Sequence, residues 1–182
     1  MIDLSQARRA PALVPSAVVR LLPPVARLVL RGGPRVMKVA GEALGLAIAT
    51  TACSSVRHGE RAALWMGPDE QLLLGPATDS DGLARLLEGA LAGIPHSVVD
   101  VSHRQIAIEI AGPPAQTVLA VGCPLDLHPS VFPPGMCTRT VLGKASIVLW
   151  RTGVEAFHVE VWRSFADYTS RFLAEAAREL AC

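Results

Sequence analysis

This sequence of 182 residues has few aromatic residues, almost no net charge and no long uninterrupted apolar run. Seventeen basic residues face sixteen acidic ones, a formal net charge of +1, so there is no electrostatic footprint for nucleic acid. The longest uncharged stretch, Ile110 to Leu125, falls short of the roughly 18 residues a membrane helix needs, and Gly112-Pro113-Pro114 interrupts it. Arg8 and Arg9 are not followed by a continuous apolar segment, because Pro15, Arg20, Pro23 and Pro24 break it; export is not expected and a cytoplasmic place is. Cys53, Cys123, Cys137 and Cys182 form no C-x-x-C pair, which speaks against a zinc knuckle or a redox motif and for reduced thiols. No serine sits in a G-x-S-x-G elbow, and no glycine cluster fits the dinucleotide or Walker patterns.

What the chain has in quantity is Ala, Val and Leu. About half of it is apolar (51%) and its mean hydropathy is +0.37. That excess fills a large core, or covers surface buried against other proteins, since obligate interfaces resemble a core cut in half.

The pattern predicts a weakly structured arm over residues 1–15 and one domain over 16–182. A short apolar run at Ser16 to Leu22 precedes a strand from Val25 to Leu30, ended by Gly32-Gly33-Pro34. A helix follows with Val36, Met37, Val39, Ala40, Ala43 and Leu44 on one stripe and Gly45 as C-cap. Leu46 to Cys53 reads as extended. Runs at 62–66 and 71–74 flank the turn Gly67-Pro-Asp-Glu70 and make a hairpin. Asp79 or Asp81 is placed to cap a helix carrying Leu83, Leu86, Leu87, Ala90 and Leu91.

The order then recurs. Val98 to Val101 matches the first run, Ile106 to Ile110 the first strand, and Gly112-Pro113 the turn Gly33-Pro34. A hairpin of 146–150 and 157–162 turns at Arg151-Thr-Gly153, with Leu149-Trp150 taken as the counterpart of Leu64-Trp65. Ser164 and Asp167 form a variant capping box before a helix striped by Phe165, Tyr168, Thr169, Phe172 and Leu173. The fold class is therefore α+β: a duplicated β-β-α-β-β-α unit, over about 16–94 and 96–181, with a mixed, mostly antiparallel sheet shared by the halves and helices packed on it.

Candidate chemistry is thin. Ser102 and His103 are a nucleophile and base by type, but neighbours in an extended chain point opposite ways, so local hydrogen bonding with Asp100 is their expected role. Cys123, His128 and Cys137 match no closed zinc site. No catalytic, cofactor-binding or metal-ligating residue is assigned. The stretch Cys123, Pro124, Leu125, Asp126, Leu127, His128, continuing through Phe132, Pro133 and Pro134 to Gly135, has no counterpart in the first half. Two readings fit it. A stiff apolar loop loses little entropy on docking to a partner, in which case Phe132→Asp weakens assembly more than folding. Alternatively the loop folds back over its own core.

Val99-Asp-Val-Ser-His-Arg-Gln105, Gly122-Cys-Pro-Leu-Asp-Leu-His-Pro129, Phe132-Pro-Pro-Gly135, Leu142-Gly-Lys-Ala145 and Val148-Leu-Trp-Arg151, with Ala63-Leu-Trp-Met-Gly-Pro-Asp-Glu70, resemble the gamma subunits of heterotetrameric sarcosine oxidases. The resemblance implies a fold similar to the folate-binding domain of the aminomethyltransferases. It implies alpha, beta and delta partners that hold FAD, FMN, NAD, zinc and tetrahydrofolate, with no cofactor in this chain. It implies a complex that demethylates sarcosine oxidatively to glycine, giving hydrogen peroxide and formaldehyde or methylenetetrahydrofolate, in which this chain is a structural subunit. Gly143-Lys144 runs into Ala-Ser-Ile, so the K-G-C-Y-x-G-Q-[DE] cysteine of related iron–sulfur assembly proteins is missing. The alternatives are a stand-alone folate-binding one-carbon transfer protein, or the same subunit in a complex acting on another N-methyl amine.

Overall fold

Strand and helix succeed one another in an order that runs through the chain twice. The computed structural model describes residues 17–180; the arm expected over 1–15 lies outside the described residues. The first pass is β1 (Val18–Leu21), β2 (Ala26–Arg31), α1 (Pro34–Leu44), β3 (Ser55–His58), β4 (Arg61–Gly67), β5 (Glu70–Gly75) and α2 (Ser80–Ala90). The second is β6 (Ser97–Asp100), β7 (Gln105–Ala111), α3 (Ala115–Ala120), β8 (Cys137–Leu142), β9 (Ala145–Gly153), β10 (Ala156–Trp162) and α4 (Ala166–Glu179). The α+β class and the repeated order stand. Each pass carries one strand more than the expected unit, β3 and β8. Both are edge strands with polar residues exposed or half-exposed, so neither shows the apolar alternation of a buried strand.

The halves do not share one sheet. They build two five-stranded sheets, β1-β7-β10-β9-β8 and β6-β2-β5-β4-β3, whose orders correspond strand for strand. Every pairing in them is antiparallel. Each half gives its first strand to the other: β1 pairs with β7, with Val18 opposite Ala111, and β6 pairs with β2, with Ser97 opposite Arg31. The period of two along each strand then sorts side chains to opposite faces. Leu28, Leu30, Ala63 and Leu73 pack under α1 and α2, while Ile108, Ile110, Leu149, Val159 and Val161 pack under α3 and α4. A third cluster, with Leu64, Leu72 and Leu74 from one sheet and Val148 and Trp150 from the other, joins the two sheets. The layers are helix, sheet, sheet, helix.

Local chemistry sets the element ends. Gly33 is the N-cap of α1 with Pro34 at its first position, where a missing N–H costs nothing, and Gly45 closes the helix with φ of 69°. α3 starts later than its Gly-Pro turn suggests, at Ala115, with Pro114 at the cap. Leu46 to Cys53 forms no strand; the chain bends there before β3. The expected capping by side chains is absent. Asp79 stands at the N-cap of α2 without a side-chain bond, and Ser164 falls in a 3-10 turn, Arg163–Phe165, that runs straight into α4. The second hairpin turns at Val154-Glu155, so Arg151 to Gly153 belong to β9. The Leu-Trp pairs are offset by one residue. Ala63 lies opposite Leu73 as Leu149 lies opposite Val159, which makes Leu64 and Trp150 the equivalent inter-sheet positions.

Among the apolar residues between the sheets lies a fully buried ion pair. Arg27 Nε on β2 donates to Glu160 Oε2 on β10 at 2.6 Å, and His158 Nε2 lies 2.8 Å from Glu160 Oε1. The Arg27 and Glu160 side chains are 2% and 0% exposed. Removing one partner of such a pair leaves an uncompensated buried charge. Arg27→Met is expected to lower unfolding free energy by about 3–5 kcal/mol in a denaturant titration, and Arg27→Met with Glu160→Met to be more stable than that single variant.

Candidate functional site

The loop between α3 and β8 is longer than its counterpart between α1 and β3, and its residues divide by direction. Cys123, Leu127 and Phe132 are buried in the core under sheet β1-β7-β10-β9-β8. Pro124, Asp126, His128, Pro133 and Pro134 are exposed and Leu125 is half-buried. The inward residues therefore present no docking surface. Phe132, 2% exposed, is an anchor of this chain's own fold, so Phe132→Asp is expected to damage folding itself, where the docking reading had it weaken assembly more than folding.

Arg151 holds the loop in place. It lies on β9 with its side chain on the helix-facing side of the sheet, 2% exposed, where its guanidinium meets four carbonyls. Nη1 donates to Leu127 O and Phe132 O at 2.9 Å each, Nε donates to Gly153 O at 3.2 Å, and Nη2 donates to Val154 O. Its planar head also lies 4.8 Å from the Phe157 ring centre. A fork of five donors satisfies carbonyls that the irregular loop would otherwise leave unpaired. The loop's outer part is ordered by its own bonds. His128 N donates to Asp126 Oδ1 at 2.9 Å, and Val131 N and Phe132 N donate to His128 O at 2.9 and 2.8 Å.

The glycines of the two flanking motifs meet. Gly143 N donates to Gly122 O at 2.9 Å, under the stacked rings of Tyr168 and Phe172. A Cβ on Gly122 would lie 2.6 Å from Phe172, and Gly143 has φ of 57° with the Tyr168 hydroxyl against it. Only glycine fits either place.

The other sequence candidates do not converge. Ser102 N donates to Asp100 Oδ1 at 2.7 Å, and Ser102 Oγ accepts from Arg27 N at 2.9 Å. Partial burial raises the Asp100 pKa, but the Ser102 bonds and the neighbouring His103 outweigh it, so the net shift is downward. His103 is exposed. The pair is a turn that ties β6 to β2. Cys123 and Cys137 belong to different clusters, one beneath the helices and one between the sheets, while His128 is exposed beside Ser130. No group of three or more His, Cys, Asp or Glu able to hold a metal occurs among the described residues. No helix there is long and apolar enough to cross a membrane.

Cys137 is fastened at the seam between the sheets. Its N donates to Cys53 O at 2.9 Å and its thiol to Ser54 O at 3.2 Å. Burial pushes its pKa from an ordinary 9.0 up to about 12. Arg27 and Glu160 are not singled out by the sequence, Arg151 reads there as a turn residue, and His158 is a satisfied histidine bonded to Glu160. The available signal was a charge at an apolar position of an alternating strand, as in Phe157-His-Val-Glu-Val161.

Comparison with known proteins gives a consistent answer. The model of the "Sarcosine oxidase, gamma subunit family" matches residues 32–179. The sarcosine oxidase subunit gamma of Arthrobacter sp. is 39% identical over 120 residues, and that of Corynebacterium sp. (strain P-1) 38% over 120. Each alignment takes in 66% of this chain and 58% of the relative, so the match spans little more than half the length of these relatives. Among solved structures, a chain of the heterotetrameric sarcosine oxidase from Corynebacterium sp. U-96, in complex with pyrrole 2-carboxylate, is similar over 91% of this chain and 86% of its own, at 30% identity and TM-score 0.85. The glycine cleavage system aminomethyltransferase T of Bartonella henselae shares the fold, with TM-score 0.68 at 15% identity over 87% of this chain and 45% of its own.

Two measurements check this account. Phe132→Ala is expected to destabilise the isolated chain by about 3–5 kcal/mol, and Phe132→Asp by more, since it also buries a charge. The unfolded thiol ionises near pH 9.0 and the native Cys137 thiol only near 12, so the native state binds the extra proton. Stability is present in full below pH 9.0 and is lost as pH rises from there toward 12. Denaturant titrations across that window are expected to fall more steeply for the native chain than for Cys137→Ala.

Proposed function

This chain belongs to the sarcosine oxidase gamma subunit family, and from that premise we propose that it is the structural, non-catalytic gamma subunit of a heterotetrameric sarcosine oxidase. The observation that carries the reading is the likeness, over nearly its whole length, to a chain of a solved heterotetrameric enzyme. In this reading its partners are the alpha, beta and delta subunits. FAD, FMN, NAD, zinc and tetrahydrofolate belong to those subunits. The complex demethylates sarcosine oxidatively to glycine, releasing hydrogen peroxide with formaldehyde or methylenetetrahydrofolate, in the cytoplasm. Residues 16–182 act as one gamma-like unit.

The contact surface includes the outer side of the loop: Pro124, Asp126, His128, Val131, Pro133 and Pro134. These residues are exposed, and their backbone is already fixed from beneath by Arg151 and Phe132. A surface ordered before it meets its partner gives up little conformational entropy on docking.

Co-expression with the flavin-binding subunits tests the proposal. The chain is expected to co-purify with them in a stable complex, and a monomer with no affinity for them overturns the reading. Val131→Glu with Pro134→Glu, both on exposed positions, is expected to reduce recovery of the complex severalfold while the isolated chain's unfolding free energy stays within about 0.5 kcal/mol.

A further inference from the structure

Two cysteines face each other where the halves meet. Cys53 lies in the bend just before β3, and Cys137 opens β8. The two segments run antiparallel. Cys137 N donates to Cys53 O at 2.9 Å, Ser55 N donates to Gly135 O at 3.0 Å, and Ser54 lies opposite Met136 between these bonds. Cys53 therefore stands opposite Cys137. A hydrogen-bonded antiparallel pair holds its Cα atoms about 5.5 Å apart, inside the range a disulfide spans.

The two thiols differ in access. Cys137 is 0% exposed, and its Sγ lies 3.2 Å from Ser54 O. Cys53 is half-buried, with no hydrogen bond on its thiol among the described residues. Its φ of 59° is the one positive value outside glycine among those residues. A left-handed residue other than glycine persists only where its surroundings hold it, and the bond from Cys137 is part of that hold. Burial is the main cause of the high Cys137 pKa, and a charge on Cys53 adds to it, so the two sulfurs lie within electrostatic reach. Cys123 belongs to another cluster, beneath the helices.

We propose that Cys53 is a site of oxidation by peroxide and Cys137 its resolving thiol, so that oxidation bolts the two halves together through a disulfide. The Cys53 sulfur attacks one oxygen of hydrogen peroxide. An S–O bond forms, the O–O bond breaks, and the departing hydroxide takes the thiol proton as water, leaving a sulfenic acid. The Cys137 sulfur then attacks the Cys53 sulfur. An S–S bond forms, the S–O bond breaks, and the hydroxyl leaves as water with the Cys137 proton. Two thiols give up two electrons, and one peroxide becomes two waters. Cys137 is almost wholly thiol at neutral pH, so closure and not the first oxidation is the slow step. The oxidase proposed for the complex would release the peroxide, while the chemistry itself needs only this chain.

Peroxide treatment of the reduced full chain, followed by mass spectrometry of unreduced peptides, tests it. A link between Cys53 and Cys137 is expected, preceded by an adduct of Cys53 with dimedone, which traps sulfenic acid. Cys123→Ala with Cys182→Ser is expected to leave the link unchanged. In Cys137→Ala, Cys53 is expected to pass on to sulfinic acid roughly tenfold faster than in the native chain, having no thiol to resolve it. The linked chain is expected to melt about 10 °C above the reduced one, because the bridge joins distant parts of the sequence. A link from Cys53 to Cys123 or Cys182 overturns the proposal. So does sulfinic acid forming at Cys53 at one rate with and without Cys137, or a linked chain that melts below the reduced one. Should Cys137→Ala fail to fold, the peptide link and the dimedone adduct in the native chain still decide. Peroxide is added to the chain alone, so failure here leaves the assembly proposal untouched.

Discussion

The most deeply buried contact between the two sheets is an ion pair, which stands beside the Arg139–Glu70 pair and the backbone bonds at Cys137 in joining them. Arg27 comes from the first half and Glu160 from the second, and each is almost wholly out of water. Two apolar sheet faces can slide past each other by a residue at small cost, because dispersion and hydrophobic contacts are non-directional. A buried carboxylate cannot follow such a slip, since moving it away from its cation exposes the full cost of desolvation. The pair thus favours one offset of the sheets, together with the backbone bonds between Cys53 and Cys137 and between Ser55 and Gly135. The Ser102 turn strengthens the choice, because it binds the backbone of the same Arg27.

Family membership is carried by the chain's scaffold as much as by its surface. Gly122 and Gly143 are required by the closeness of two backbones under Tyr168 and Phe172. Leu127, Phe132 and Arg151 bind the long loop to its own sheet. In this chain these residues build a loop of fixed shape, and its exposed prolines and charged residues are displayed by that shape.

Much of this was legible in the residues. Apolar runs bounded by Gly and Pro turns located β2, β4, β5, β7, β9 and β10, and the 3.6-residue period located the apolar faces of α1, α2 and α4. Gly45 and Gly33-Pro34 gave the ends of α1. The edge strands β3 and β8 escaped, because Ser55-Val-Arg-His58 and Cys137-Thr-Arg-Thr140 are polar where sheets meet solvent. The exchange of β1 and β6 escaped because pairing between distant strands leaves no local trace. Arg151 was read as a turn residue because a lone charge seldom lies in a strand's buried face. Its four carbonyl partners come from the loop and hairpin tip, and no spacing in the sequence announces them. The loop's direction was open for the same reason: its inward and outward residues follow no period.

The exchanged first strands also order events in time. Arg20 and Glu109, paired across β1 and β7, are 89 positions apart. With a ribosome adding about 5–20 residues per second, β1 waits on the order of ten seconds for the strand it pairs with. The half that emerges first cannot complete its own sheet either, because its edge is β6, supplied by the half that follows. Neither copy of the duplicated unit is then a finished object by itself. Cut at the midpoint, each piece carries one strand parted from its partner and one vacant edge.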